Sequence, residues 1–336
     1  MEYRVLGNSG IRVSPVCLGS AWFGVDQLEE DVPFILNRAV DLGINFFDCA
    51  NTYGTRGDRP DRKPHGERRS AEELLGNSLK HVRDQVIITS KVQEAVGSGP
   101  NDGGPSGGGL SRLHIRRQVE QSLRRLAMDY IDVYYAHHPD PTTPIEETVR
   151  AFDELIREGK IRYYALSDFQ SWHIVHFIAV AERYGLNKPI CLQMPYNLAN
   201  RSVEGRIADV CETFDLTMAA FMPLGGGLLG GRKSRTGEYV GMRRATMPGH
   251  PRRDSAFSPE DVLVAEGLED LSDKWGHPAS CVALAWLLNR PAVSTAILGA
   301  SSVSEVETAV SSLQVRLDDE QMADLNALDS RRASTY

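Results

Sequence analysis

Asp48, Tyr53, Lys91 and His137 are a carboxylate, a phenol, an amine and an imidazole, a set able to move a proton onto a carbonyl oxygen. They stand in NFFDCANTYG, VIITSK and YIDVYYAHHPD, each at or just past the end of a short apolar run. A free tyrosine titrates near about 10, too high for ready proton donation at neutral pH. Lys91 is expected to lower that value by stabilising the phenolate, with Asp48 holding the ammonium through a charge-assisted hydrogen bond. His137 would then orient the carbonyl or relay the proton. A Tyr–Lys pair with no obvious nucleophile suits hydride transfer, in which oxygen takes a proton as carbon takes hydride. Plainer readings stand beside these: a tyrosine after Asn-Thr can be a packing residue, and a strand-end lysine a solvated one. His137, His138 and Asp140 also offer a metal ligand set. Adjacent strand residues point to opposite faces, however, so joint ligation is awkward and no metal is expected.

Side chains so far apart in sequence meet only if the strands that carry them end at one mouth. Short apolar, partly β-branched runs alternate along the chain with longer amphipathic ones, the rhythm of a parallel sheet built from βα units. A hairpin is predicted first, with YRVL, a GNSG turn and IRVS. Strands are then predicted at 16–19, 44–48, 86–91, 131–137, 161–167, 190–194, 217–222 and 294–299. Helices are predicted at 29–41, 70–82, 112–126, 145–158, 172–184, 203–213, 259–274 and 302–313, with an extra one at 278–288. Eight units over about 250–300 residues fit a closed (β/α)8 TIM barrel, with an open doubly wound sheet as the other arrangement. No linker of domain-separating composition interrupts 1–336, which reads as one domain.

Bulk properties narrow the function. The formal charge of −8 argues against nucleic-acid binding, which needs a basic surface. No apolar run approaches the roughly 18–20 residues that cross a bilayer. The start, MEYRVLGNSGIRVSP, lacks a secretory h-region. Five scattered cysteines without C-x-x-C spacing read as reduced thiols of a cytoplasmic protein. Three long loops, at 54–69, 92–111 and 223–258, follow strands and so belong on the mouth side, where such loops set specificity. The middle one contains GSGPNDGGPSGGG and reads either as a mobile lid or as a passive insertion.

These residues together resemble the aldo-keto reductases, from about residue 3 to about residue 328. YRVLGNSGIRVSPVCLGS resembles the family's N-terminal hairpin and first strand, and INFFDCANTYG its signature with catalytic Asp and Tyr. VIITSK supplies the lysine and DVYYAHHPD the histidine. GKIRYYALSDF, LQMPYN, AAFMPLGGGLL and AILGASS match the next four strand ends in order. The resemblance implies a (β/α)8 barrel closed at the bottom by the hairpin, and a nicotinamide cofactor bound without a Rossmann domain. No G-x-G-x-x-G follows an early strand, in agreement. The run GGGLLGGRKS misses the phosphate-loop pattern, with Arg232 where the lysine belongs.

Carried over by position, Ser167, Asp168 and Gln193 would grip the carboxamide, with Ser20 also in the cofactor site. Phe221 would stack on the nicotinamide or pack in the barrel. Leu224, Gly226 and Arg232 would follow the pyrophosphate, and Gly299, Ser301, Ser302 and Glu305 would lie around the adenosine. Trp22 would line the substrate pocket, and Trp172 would pack at a helix start. Asp168 departs from the family's usual Asn and cannot donate to an amide oxygen while ionised. Glu305 and Ser301 stand where Gln and a basic residue are common, and an acidic group there suits the ribose hydroxyls of NAD(H). Seven basic residues within 232–253 point instead to NADP(H), which is the favoured cofactor.

The expected partner is a small-molecule carbonyl substrate, with no membrane or nucleic acid and with a homo-oligomer left open. Two alternatives remain. Channel-type nucleotide-sensing subunits share the fold but typically lack the histidine that His137 supplies. PNDGG, AHHPD, SWHI and PYNLANRS resemble a branch that reduces nucleotide-linked keto-deoxysugars, for which Arg56 and Arg59 would hold a diphosphate.

Overall fold

The computed structural model describes residues 1–25, 27–54, 67–96, 108–230 and 257–328. A two-stranded antiparallel hairpin, β1 (Arg4–Val5) and β2 (Arg12–Val13), opens the chain. Eight further strands follow: β3 (Val16–Gly19), β4 (Phe46–Asp48), β5 (Ile87–Val92), β6 (Ile131–Ala136), β7 (Ile161–Ser167), β8 (Cys191–Pro195), β9 (Thr217–Phe221) and β10 (Val293–Leu298). Each pairs in parallel with its neighbours, and β10 returns to β3, so the sheet closes into a barrel. The open doubly wound alternative is thereby removed.

Helices α1 (Val32–Asp41), α2 (Ala71–Leu79), α3 (Arg112–Leu126), α4 (Ile145–Arg157), α5 (Ser171–Tyr184) and α6 (Arg206–Thr213) separate the first seven barrel strands. Between β9 and β10 lie α7 (Pro259–Trp275) and the buried, apolar α8 (Ala279–Leu288), the extra helix expected at 278–288. After β10 come α9 (Val303–Ser311) and α10 (Asp319–Ala327). The sequence reading missed α10, although Asp318 and Gln321 form a capping box at its start. Helix ends elsewhere moved by a few residues. The one placed at 29–41 begins at Val32 because Pro33 belongs in a first turn, and the one placed at 203–213 begins at Arg206.

Period-two alternation along the strands sorts side chains into two shells. Phe47, Ile88, Val92, Tyr134, Tyr164, Leu192 and Met218 face outward and pack beneath the helices. Cys17, Phe46, Val133, Tyr135, Ala165, Cys191, Ala219 and Ile297 form an inner apolar cluster with Leu6 and Val13 of the hairpin segment. Continuing the same alternation by two residues from Phe46 gives Asp48, from Thr89 gives Lys91, and from Cys191 gives Gln193. The polar layer thus sits directly above an apolar one.

The hairpin plugs the lower end. Gly7 N donates to Thr217 Oγ1 at 2.8 Å and Ser14 N to Asn45 Oδ1 at 2.8 Å. Arg4 donates to the carbonyls of Leu288 and Val293, at 2.8 and 3.1 Å. Gly7 has φ of +57°, and a Cβ there would stand 1.6 Å from the Ile190 carbonyl oxygen. Gly7→Ala should therefore lower stability by about 2 kcal/mol or more, combining left-handed strain with a backbone clash. Denaturant unfolding checks this, and an unchanged midpoint would refute the plug's tight seating.

Candidate active site at the mouth of the barrel

The centre of the site is a buried charge. Lys91 is 0% exposed, and its Nζ donates to Asp48 Oδ2 at 2.6 Å, to the Cys49 carbonyl at 2.9 Å and to Tyr53 Oη at 3.2 Å. An ammonium has three donors, and each has found an acceptor. Asp48 Oδ1 in turn accepts Thr89 Oγ1 at 2.8 Å and Gln193 Nε2 at 2.9 Å. Its backbone carbonyl accepts both the N–H and the hydroxyl of Ser20, each at 2.9 Å. Three inward strand positions, Thr89, Lys91 and Gln193, therefore converge on one carboxylate, and Ser20, just past β3, holds the backbone of the same residue.

Tyr53 is held by the turn that follows β4. Cys49 N donates to the Thr89 carbonyl at 3.1 Å and Tyr53 N to Ala50 O at 3.1 Å, while Ala71 N at the start of α2 donates to Tyr53 O at 3.0 Å. The ring lies with its edge to His137, centroids 5.9 Å apart at 73°. His137 is buried, and its N–H donates to the Val92 carbonyl at 2.8 Å. All four residues singled out from the sequence meet here.

One expectation is corrected. Burial outweighs the attraction of Lys91 and pushes the Tyr53 phenol up to about 12, rather than down. Burial also opposes the charge on Lys91, but attraction to Asp48 and its hydrogen bonds to Asp48 and Tyr53 carry its pKa above the ordinary lysine value. At neutral pH the pair is thus an ammonium beside an intact phenol. Because the ammonium donates to Oη and has no lone pair, the phenolic hydrogen must point away from Lys91.

His137 and His138 stand side by side, against the opposite faces expected of adjacent strand residues. β6 ends at Ala136, so strand alternation does not reach these two residues. Their rings stack, centroids 4.4 Å apart at 13°. Asp140 belongs to a different job: it accepts Leu110 N at 2.7 Å and the N–H of Thr142 at 2.8 Å, pinning the loops around it.

The remaining carried-over positions divide. Ser167 is buried at the end of β7 and Gln193 in the middle of β8, and Phe221 ends β9 half-exposed against the inner cluster. Gln193 spends its amide on Asp48, an engagement that the carboxamide role did not anticipate. Asp168 takes a left-handed backbone with φ of +63°, which Asn and Asp tolerate best, and its Oδ2 lies 3.6 Å from His138 Nδ1. Leu224 and Gly226 sit at the tight 3-10 turn over Gly225–Gly230. Gly299 follows β10; Ser302 caps α9, and Glu305 of that helix accepts Ser301 N at 2.7 Å. Trp22 is half-buried, its carbonyl accepting Val25 N at 3.0 Å. Trp172 is exposed on the first turn of α5 and stacks on His173. Arg232, Arg56, Arg59, the basic residues within 232–253 and residues 97–107 of the loop expected at 92–111 lie outside the described residues.

The sequence reading missed Thr89, Thr52 and Glu94. Thr89 was findable, standing two residues before Lys91 on the same face of β5; the other two have no such pattern. A pH test follows from the phenol. Subtracting the tyrosinate absorbance of Tyr53→Phe from that of the cofactor-free wild type should reveal one phenol ionising near pH 12. A phenol ionising between pH 7 and 9 would contradict it. Since the folded value lies above the unfolded value of about 10, stability from this group is complete below pH 10 and is lost as pH rises toward 12.

Comparison with known proteins shows the family. The Aldo/keto reductase family profile matches residues 15–330. The uncharacterized oxidoreductase YrpG of Bacillus subtilis is 35% identical, covering 97% of this chain and 95% of its own. A probable voltage-gated potassium channel subunit beta of Oryza sativa is 33% identical, over 94% of this chain and 92% of its own. Protein tas of Escherichia coli is 29% identical, over 98% and 97%. With its closed barrel, its buried Lys91–Asp48 pair and a family match over nearly its whole length, the chain belongs to the aldo/keto reductase family of NAD(P)H-dependent carbonyl oxidoreductases.

Proposed function

We propose that the chain reduces an aldehyde or ketone to an alcohol, reversibly, with Tyr53 as the proton donor. The observation that carries this reading is the three-way hydrogen bonding of Lys91 to Asp48, Cys49 and Tyr53. The phenol keeps its proton at neutral pH and aims it away from the ammonium. After donation, the phenolate is left beside a fixed positive charge, so the group becomes a better acid at the moment that it is needed. Asp48 keeps that charge in place, and His137, edge-on to the ring, would guide the carbonyl oxygen.

A nicotinamide bound at the mouth supplies the hydride. The polar, buried Ser167 and Gln193 and the half-exposed ring of Phe221 fit such a ring, and Ser20, through Asp48, fixes the floor beneath it. The start of α9, with Ser302 as cap and Ser301 N directed outward to Glu305, suits the adenosine end. We take NADP(H) as the cofactor on the basic run within 232–253. Glu305 is the observation that favours NAD(H), because its carboxylate already occupies the nose of α9. The five buried free thiols support a reducing, cytoplasmic setting. Among the described residues no helix is long and apolar enough to cross a membrane.

The channel-subunit name borne by the rice relative offers a second reading, in which the nucleotide is bound without turnover. The complete set of Asp48, Tyr53, Lys91 and His137 favours turnover. Tyr53→Phe should leave nucleotide affinity nearly intact and lower carbonyl turnover by about 10²–10⁴-fold. Turnover unchanged in that variant, or absent from the wild type across a panel of aldehydes and ketones, would sink the reading. Parallel fluorescence titrations with NADPH and NADH should favour NADPH, and Glu305→Gln should widen the preference by removing a like charge. A narrower preference in Glu305→Gln would reverse the nucleotide assignment.

A further inference from the structure

A second cluster of ligating atoms sits on the rim, one step outside the proton-donating group. Glu94 follows β5, His137 and His138 follow β6, and Asp168 follows β7. Glu94 Oε2 accepts Thr52 Oγ1 at 2.9 Å. Its Oε1 lies 4.0 Å from His137 Nδ1 and 3.8 Å from His138 Nε2. One ligand atom from each of the three residues lies within 4.8 Å of the other two. The remaining nitrogen of His138, Nδ1, faces Asp168 Oδ2 at 3.6 Å.

This order has the logic of a metal centre. Two imidazoles and a carboxylate are the donor set of many three-ligand zinc sites that keep a fourth position open. Zinc bonds of about 2.0–2.1 Å place tetrahedral ligands about 3.3 Å apart, so these atoms need draw in by roughly 1.5 Å at most, and the two stacked rings must turn out of parallel so that one ion lies in both planes. The outer partners are also present. A hydroxyl holds one oxygen of Glu94 while the other lies toward the imidazoles, and Asp168 stands 3.6 Å from the second nitrogen of His138, where a small closure would make the hydrogen bond that sets the tautomer of a ligating histidine. Nitrogen donors select zinc-class ions over calcium and magnesium, which prefer all-oxygen shells. The side chains of His138 and Glu94 are 40% and 22% exposed, so an ion has access from solvent.

We propose that Glu94, His137 and His138 form a site for a zinc-class divalent cation, positioned by Thr52 and Asp168, whose occupancy inhibits carbonyl reduction by engaging His137. The inhibitory half rests on the reaction proposed above; the binding half does not.

Cobalt(II) is the spectroscopic probe and zinc the competitor. One equivalent of cobalt should give the intense visible bands of a low-coordinate nitrogen–oxygen site, and zinc should displace it. Zinc should inhibit NADPH-dependent turnover, and a chelator should restore it. His138→Ala and Glu94→Gln should each weaken zinc binding by more than about 100-fold, and Asp168→Ala by about tenfold. His138→Ala should keep its metal-free turnover and escape inhibition. Circular dichroism matching wild type secures the fold of each variant. No stoichiometric binding, or binding unaltered in both His138→Ala and Glu94→Gln, overturns the site and leaves a plain ion-pair network of histidine and carboxylates. Binding without inhibition overturns the regulatory half. Zinc binding by a protein that reduces no carbonyl refutes the reaction and leaves the site standing.

Discussion

A lysine ammonium with no access to water must be solvated by the protein, and that requirement at Lys91 organises everything around it. Its three donors need three acceptors at fixed directions, and the chain meets them with Asp48, the Cys49 carbonyl and the Tyr53 oxygen. Asp48 must then be stabilised itself, which draws in Thr89 from β5 and Gln193 from β8. Only a closed barrel brings β4, β5 and β8 to one axis. The apolar cluster of Cys17, Phe46, Val133, Tyr135 and their neighbours, sealed from below by Leu6 and Val13, keeps water from reaching the ammonium by any lower path.

The same dryness sets the Tyr53 phenol, the acid of the proposed reaction. In water an adjacent ammonium lowers the pKa of a phenol; at Tyr53 the loss of solvent outweighs that attraction, and the phenol holds its proton more firmly. This is compatible with the proposed donation, because the acceptor would be an oxygen becoming an alkoxide, a stronger base than a phenolate. A firmly held proton is also not lost to bulk solvent between turnovers. In the proposed reaction the ammonium would act on the charge that appears after transfer, which is the differential stabilisation that catalysis requires.

Around this dry centre the rim is a wetter ring of groups. Thr52, beside Tyr53, ties Glu94 at the end of β5; Glu94 faces both histidines beyond β6, and His138 faces Asp168 beyond β7. His137 belongs to both layers, meeting the tyrosine with its ring and the rim with Nδ1. The rim is therefore one side chain away from the Tyr53 phenol.

Much of the fold was legible because it depends on period alone. The rhythm of apolar and amphipathic runs placed eight strands, and the strand ends that carry Asp48 and Lys91 placed both at one mouth. α10 escaped because a short, weakly amphipathic helix signals itself mainly by its cap, Asp318 with Gln321. The site was half legible. Residue type and strand position identify a phenol and an amine at one mouth, and these are local properties of the chain. The direction of the Tyr53 shift is a balance between lost solvent and gained charge, and that balance exists only once the barrel has closed. The meeting of Glu94, His137, His138 and Asp168 likewise depends on where three strands stop and how their loops turn, since beyond Ala136 no periodic rule assigns a side chain to a face. Sequence thus determined which groups lie inside the barrel; tertiary structure decided how dry they are and which rim groups stand beside them.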